Sequence, residues 1–349
     1  VTQNKKSMVA RLFDTIFNWL LFFLETLVVL ADIPQLYINA FMNKLYQKTL
    51  TKPITFEGIG LHSGKISKIK LLPADENQGI VFKRTDLKQN NLIKANFENV
   101  SSAKLCTTLQ NKFNAKVSTV EHLMASLYIA DIDNVMIEID NEEVPIMDGS
   151  AKNFFDILKE TNLSTQSARR KYLKILDKVE LIDGVRKITI EPNDEALEVD
   201  FKLNYENKVI GKQNNCINFH NDDLKEVIES RTFCLFEDIE KIKELGLAKG
   251  GSLDNAVVVD KDKVLNSEGL RNNNEFVNHK ILDLAGDFLL SGYRILGKVR
   301  CDQGGLELSN IFFRKLMKNN SSFLPIEIGE ENVSKNIAQI NSIKIAANA

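Results

Sequence analysis

The sequence of 349 residues predicts an α+β protein of two halves with similar plan, preceded by a helical extension. Three observations carry that expectation. From Thr51 onward each half runs strands, helix, strand, helix, which suggests two α+β layers. The length allows two domains, each with a full core. The first fifty residues have a texture of their own, dominated by one long apolar run. The expected organisation is an extension over 1–50, a first domain over 51–165, a second over 171–325 and a polar tail over 326–349. The composition is that of an ordinary globular protein: its net charge of −2 gives no basic footprint for nucleic acid. The four cysteines, Cys106, Cys216, Cys234 and Cys301, form no CxxC pair, so free thiols in a reducing compartment are expected.

Within the extension, residues 13–33 are long and apolar enough to cross a bilayer as a helix. Asp14, Asn18, Glu25 and Asp32 fall within about 40° of one another at helical spacing, a narrow polar stripe. Three acids are foreign to a lipid-facing span. The expectation is a helix whose acidic face meets a partner or water while its wide face meets lipid or other helices. Residues 11–46 would then dock the protein on a membrane or a membrane-protein complex. Pro34 bends the chain toward a second amphipathic piece over 35–46, and no small-residue cleavage site marks a signal peptide.

In the first domain, residues 54–56 read as a strand entering the turn-rich 58–64, and 66–72 alternates as a strand should. Residues 80–82 and 134–139 are further strands, and 117–129 reads as a helix. A tight turn over 144–150 leads to a helix over 151–160, and the polar 161–170 reads as a linker. The second domain begins with strands over 173–181, 187–190 and 197–203, then a helix near 222–229. A glycine-rich segment, 247–252, precedes a buried strand at 256–259. Helices follow around His279 and over 311–318, and the tail after Asn319 reads as loosely held.

The stretch Asn278–Asp287 is the chemical focus. As a helix it places His279 and Asp283 one turn apart on one face, with Asp287 a further turn along. An imidazole and a carboxylate at that spacing make a two-point grip on a borderline cation such as Zn²⁺. Ion pairs and helix capping produce the same spacing, so a third ligand is needed. The chain has four histidines, His62, His122, His220 and His279. His122 is the best placed, with Glu121 beside it as a natural general base for water. With His122 in the first half and His279 in the second, the site would lie at the seam between halves, where pockets tend to form.

Several segments, in order along the chain, resemble one known family. They are Gly58-Ile59-Gly60-Leu61-His62-Ser63-Gly64-Lys65, Gly79-Ile80-Val81-Phe82-Lys83-Arg84-Thr85-Asp86, Leu105-Cys106-Thr107-Thr108-Leu109, Ser118-Thr119-Val120-Glu121-His122, Pro145-Ile146-Met147-Asp148-Gly149-Ser150-Ala151, Arg231-Thr232-Phe233, Gly250-Gly251-Ser252, Asn266-Ser267-Glu268-Gly269-Leu270-Arg271 and Glu275-Phe276-Val277-Asn278-His279-Lys280. From about Thr51 to Lys318 the chain resembles the UDP-3-O-acyl-N-acetylglucosamine deacetylases, zinc amidases of lipid A synthesis known as LpxC. The resemblance implies two α/β sandwich domains with zinc between them, held by His122, His279 and Asp283. It implies Glu121 as general base, Thr232 as an oxyanion-stabilising hydroxyl, and Phe233 and Lys280 as substrate contacts, with Lys280 also beside the oxyanion. Asp287 takes the place of the acid that orients a catalytic histidine.

That histidine is absent. In the corresponding segment, Gly304-Gly305-Leu306-Glu307-Leu308-Ser309-Asn310, Leu306 stands in its place, and no histidine follows His279. Leucine neither donates a proton nor carries charge. Two readings result. One is a slow deacetylase acting on a UDP-linked acylated N-acetylglucosamine, in which Glu121 is both base and acid. The other is an inactive scaffold subunit of a membrane complex, its extension docked at a membrane, with the mitochondrial inner membrane as one location and the bacterial cytoplasm as the alternative for the enzyme.

Overall fold

Alternation at residues 66–72 is realised in the strand Ile66–Pro73, whose side chains point in turn outward and into the core. It lies between the antiparallel strands Ile54–Ile59 and Val135–Ile139. Ile80–Arg84 runs parallel to Val135–Ile139, and Leu92–Lys94 completes a five-stranded sheet. The computed structural model describes residues 44–327. The extension with its acidic stripe, save its last few residues, and the tail beyond 327 lie outside them. Gln47–Ile328 form one compact unit. Among the described residues no helix is long and apolar enough to cross a membrane.

A second, seven-stranded sheet is drawn from residues 171–327. Its hub is Arg294–Asp302, which the sequence reading did not foresee as a strand. Its first residues run parallel to Lys171–Ile175, and the remainder pairs with Arg186–Pro192 (antiparallel) and Leu197–Asn204 (parallel). Gly297 interrupts its pattern for a steric reason: a Cβ there would lie 2.8 Å from Ile175 Cγ1 and 3.1 Å from Ile190 Cδ1.

The α-helices lying wholly within the described residues are α1 (Glu121–Ile129), α2 (Lys152–Lys159), α3 (Lys225–Glu229), α4 (Phe236–Glu244), α5 (Glu275–Leu289) and α6 (Leu306–Lys318). α1 packs on α5, and α5 also packs on α6 and on the strands Leu197–Asn204 and Lys212–Asn218. One core joins both sheets through these helices: Leu71, Phe82 and Ile137 of the first sheet, Leu123 and Leu127 of α1, Ile281 and Phe288 of α5, Ile188 and Val199 of the second sheet.

Several expectations need correction. The helix expected from 117 begins at Glu121; Lys116–Val117 is a strand, and Thr119 has φ +56°, which breaks the chain between them. The expected linker 161–170 is the strand Leu163–Arg169, paired with a strand containing residues 47–50, a partner too distant in sequence to be seen locally. The expected strand 173–181 is two, Lys171–Ile175 and Val179–Asp183. Part of the tail is ordered: Phe323–Glu327 is an edge strand on Lys171–Ile175, and Pro325 is tolerated because an edge strand can spare a donor. The last helix starts at Leu306, five residues before the expected Ile311.

Candidate metal centre

α1 and α5 are buried almost all round, a state ordinarily reserved for wholly apolar helices. They nevertheless carry Glu121, His122, His279, Asp283 and Asp287, each at most 8% exposed. Ionisable groups at such depth require partners or a function. What brings the two helices together is Gly286: a Cβ at that position would lie 2.2 Å from the Glu121 carbonyl oxygen. The missing side chain lets α5 touch the backbone at the start of α1, which sets His122 against His279 with ring centroids 4.9 Å apart.

His122 Nε2 lies 3.5 Å and His279 Nε2 3.4 Å from Asp283 Oδ1. Ligand atoms of the three residues all fall within 4.8 Å of one another. Asp283 Oδ1 is buried and accepts no hydrogen bond. A tetrahedral ion with bonds near 2.1 Å separates its ligands by roughly 3.4 Å, so the two short edges have the right length. His279 Nδ1–H donates to the Ser230 carbonyl at 3.1 Å, which fixes the tautomer that turns a bare Nε2 toward Asp283. Burial holds His279 neutral, pushing its pKa down to about 3. Burial raises the Asp283 pKa, but His279 and Lys280 outweigh it and keep the carboxyl ionised. At His279 and Asp283 these are the protonation states that metal binding requires; at His122 burial lowers the pKa, but Asp283 and Glu121 outweigh it and raise it. The residues therefore fit a divalent ion.

Glu121 is the first residue of α1, where the helix dipole favours its negative charge. Its Oε2 accepts the Thr107 N–H at 3.0 Å. Burial, with Cys106 and Asp283 adding to it, pushes its pKa up to about 8; a cation beside it would act in the opposite sense. Lys280 Nζ is 3.1 Å from Asp283 Oδ2 and 5.4 Å from the centre of the Phe233 ring. That ring lies 6.4 Å from His279 and 4.9 Å from Phe276. Thr232 is held by its main chain, donating to Gly149 O and accepting from Val257 N, each at 2.8 Å, and no hydrogen bond joins it to the ligand residues.

Asp287 is not left unpaired by the missing imidazole. Its Oδ1 accepts the Thr107 hydroxyl at 2.7 Å, while Oδ2 has no partner. Burial pushes its pKa up to about 8. Leu306 is buried at the start of α6. His62 is buried and is not one of the clustered ligand residues: its main-chain N–H donates to Glu143 Oε1, and its Nδ1 accepts the Ala248 N–H. His220 is exposed in a loop.

Beside the centre opens an apolar cavity of about 360 Å³, lined among others by Leu61, Thr232, Phe233, Ile239, Ile242 and Val258. One wall is α4, which the sequence reading missed. It missed Thr107 and Ser230 as well. Thr107 stood inside a quoted motif, but its contacts with Glu121 and Asp287 span 14 and 180 residues and leave no periodic trace.

Residues 47–318 match the family profile of UDP-3-O-acyl N-acetylglycosamine deacetylase. A UDP-3-O-acyl-N-acetylglucosamine deacetylase of Syntrophotalea carbinolica is 41% identical over 287 residues, 82% of this chain and 92% of the relative. The enzyme of that name from Idiomarina loihiensis is 39% identical over 84% of this chain and 96% of its own length. That of Pseudoalteromonas translucida is 40% identical, with 79% and 92% covered.

Proposed function

This chain belongs to the UDP-3-O-acyl N-acetylglycosamine deacetylase family, and from that premise we propose that it hydrolyses the acetamide of a UDP-linked, 3-O-acylated N-acetylglucosamine. Acetate and the free 2-amine are the products. The observation that carries the reading is the orphaned Asp283 Oδ1, faced by two imidazole nitrogens at 3.4 and 3.5 Å, with Glu121 alongside.

His122, His279 and Asp283 would hold a zinc ion. When bound, such an ion acidifies water and polarises an amide carbonyl. Glu121, anchored through Oε2, keeps its second oxygen free to take a proton from water and return it to the departing amine. Lys280 supplies positive charge, and Thr232 a hydroxyl, toward the oxyanion of the tetrahedral intermediate. Phe233 and the cavity behind it suit the acyl chain, since an apolar volume of about 360 Å³ is within the range of ligand pockets.

Leu306 supplies no second acid, and its absence is worth about a hundredfold to ten-thousandfold in rate, so we take this to be a slow enzyme. Residues 11–46 would bring it to a membrane surface; sedimentation with vesicles, lost on deleting residues 1–46, is the expected result. For the chemistry, the test is metal analysis with an acetate-release assay. We expect about one zinc per chain and slow turnover that Glu121→Ala abolishes while the zinc remains. Zinc without any acetate release, even at high enzyme concentration, would overturn the reading.

A further inference from the structure

We propose that Thr107 is a positioning residue of the reaction, tying together the two carboxyl groups that flank the ligand residues. The inference rests on the deacetylase reading above and names a residue which that reading leaves without a role.

Thr107 is 1% exposed and belongs to neither ligand helix; it directly precedes the strand Thr108–Gln110. Its hydrogen-bonding groups all point at the site. The N–H donates to Glu121 Oε2 at 3.0 Å, the hydroxyl donates to Asp287 Oδ1 at 2.7 Å, and the carbonyl accepts the Val120 N–H at 3.4 Å. One residue thus reaches the first residue of α1, the residue before it, and the stripe of α5 that also bears His279 and Asp283. The main-chain contact selects which Glu121 oxygen is anchored and so which is free. The side-chain contact is the one hydrogen bond made by the Asp287 carboxyl among the described residues, and its Oδ2 has no partner.

The two contacts can be separated experimentally. Thr107→Val keeps the shape and the N–H to Glu121 but deletes the bond to Asp287; Thr107→Ser keeps both. Removing the donor strips a buried carboxyl of its hydrogen bond, a loss large enough to predict a fall in kcat of about tenfold or more for Thr107→Val, with KM within about twofold of wild type. Thr107→Ser should restore kcat to within about threefold, because the same donor is back in place. In an Asp287→Ala background, which removes the acceptor, Thr107→Val should cost little more, since both changes break one contact. Zinc content and thermal midpoint, measured on each variant, separate positioning from unfolding. Should Thr107→Val not fold, Thr107→Cys, a weak donor of similar size, gives the same reading. A folded, zinc-loaded Thr107→Val with wild-type kcat, or losses that add fully to those of Asp287→Ala, would overturn the proposal while leaving the deacetylase reading intact. A wild-type protein that releases no acetate would overturn both.

Discussion

Replacing Gly286 by alanine should dismantle the metal centre without touching a ligand. The added Cβ would lie 2.2 Å from Glu121 O, 3.1 Å from Glu121 C and 3.0 Å from Ala125 N, all backbone atoms of α1 that no rotamer change can move. Non-bonded heavy atoms settle at about 3.5–4.0 Å, so the helices must part by more than about 1 Å. His122 rides on α1, and Asp283 and His279 ride on α5. A shift of that size would stretch the 3.5 Å edge between His122 Nε2 and Asp283 Oδ1 to about 4.5 Å, well away from the roughly 3.4 Å that tetrahedral ligands keep. Losing an outer partner of a ligand costs 10–100-fold in affinity, roughly, and displacing a ligand should cost at least that much. Stability should fall less: overpacking costs about 1–3 kcal/mol, and alanine's better helix propensity returns about 1 kcal/mol. Zinc affinity by competition with a chromophoric chelator, with a thermal melt alongside, is the assay. A Gly286→Ala protein that binds zinc as tightly as wild type would refute the claim that this helix contact builds the site.

Glu121→Gln preserves an oxygen for the Thr107 N–H, so zinc should remain bound while acetate release falls by about a hundredfold or more; a milder loss would assign the base elsewhere. Leu306→His returns an imidazole to the start of α6, and kcat should rise by up to about a hundredfold; no rise would mean that the missing acid does not limit the rate. Stripping the metal with a chelator should lower the thermal midpoint, because ions binding only the folded state stabilise it, and re-adding zinc should restore it. In Asp131, burial raises the carboxyl pKa, but Arg294, Arg170 and Lys48 more than offset it and bring it to about 2. A folded pKa depressed in this way contributes stability in full above about pH 4, the ordinary carboxylate value, and loses it as pH falls toward 2. The stability gap between wild type and Asp131→Asn, followed by denaturant melts, should therefore be flat above pH 4 and close in acid; a gap independent of pH would remove the assignment.

What could be seen in the sequence was what repeats at short range. The spacing of His279, Asp283 and Asp287 needs one helical period, and the structure lines them along α5. The strand Ile66–Pro73 needs a period of two. Glu121 and His122 were visible as a pair, yet the start of their helix was not, because Thr119 adopts a positive φ that nothing local encodes; its hydroxyl is held by Glu143, 24 residues away. Arg294–Asp302 was hidden because Gly297, Lys298 and Arg300 look like a loop until the neighbours that require them, Ile175, Ile190, Glu198 and Glu191, are in place. Thr107 and Gly286 act through contacts across the two halves, and only folding makes those contacts.

The central claim is that His122, His279 and Asp283 close on a single zinc ion. Diffraction data collected on either side of the zinc absorption edge, from protein purified without added metal, test it directly. One anomalous peak within bonding distance of His122 Nε2, His279 Nε2 and an Asp283 carboxylate oxygen is the result expected. No peak at that position, or a zinc bound elsewhere with these side chains paired only to one another, would contradict it.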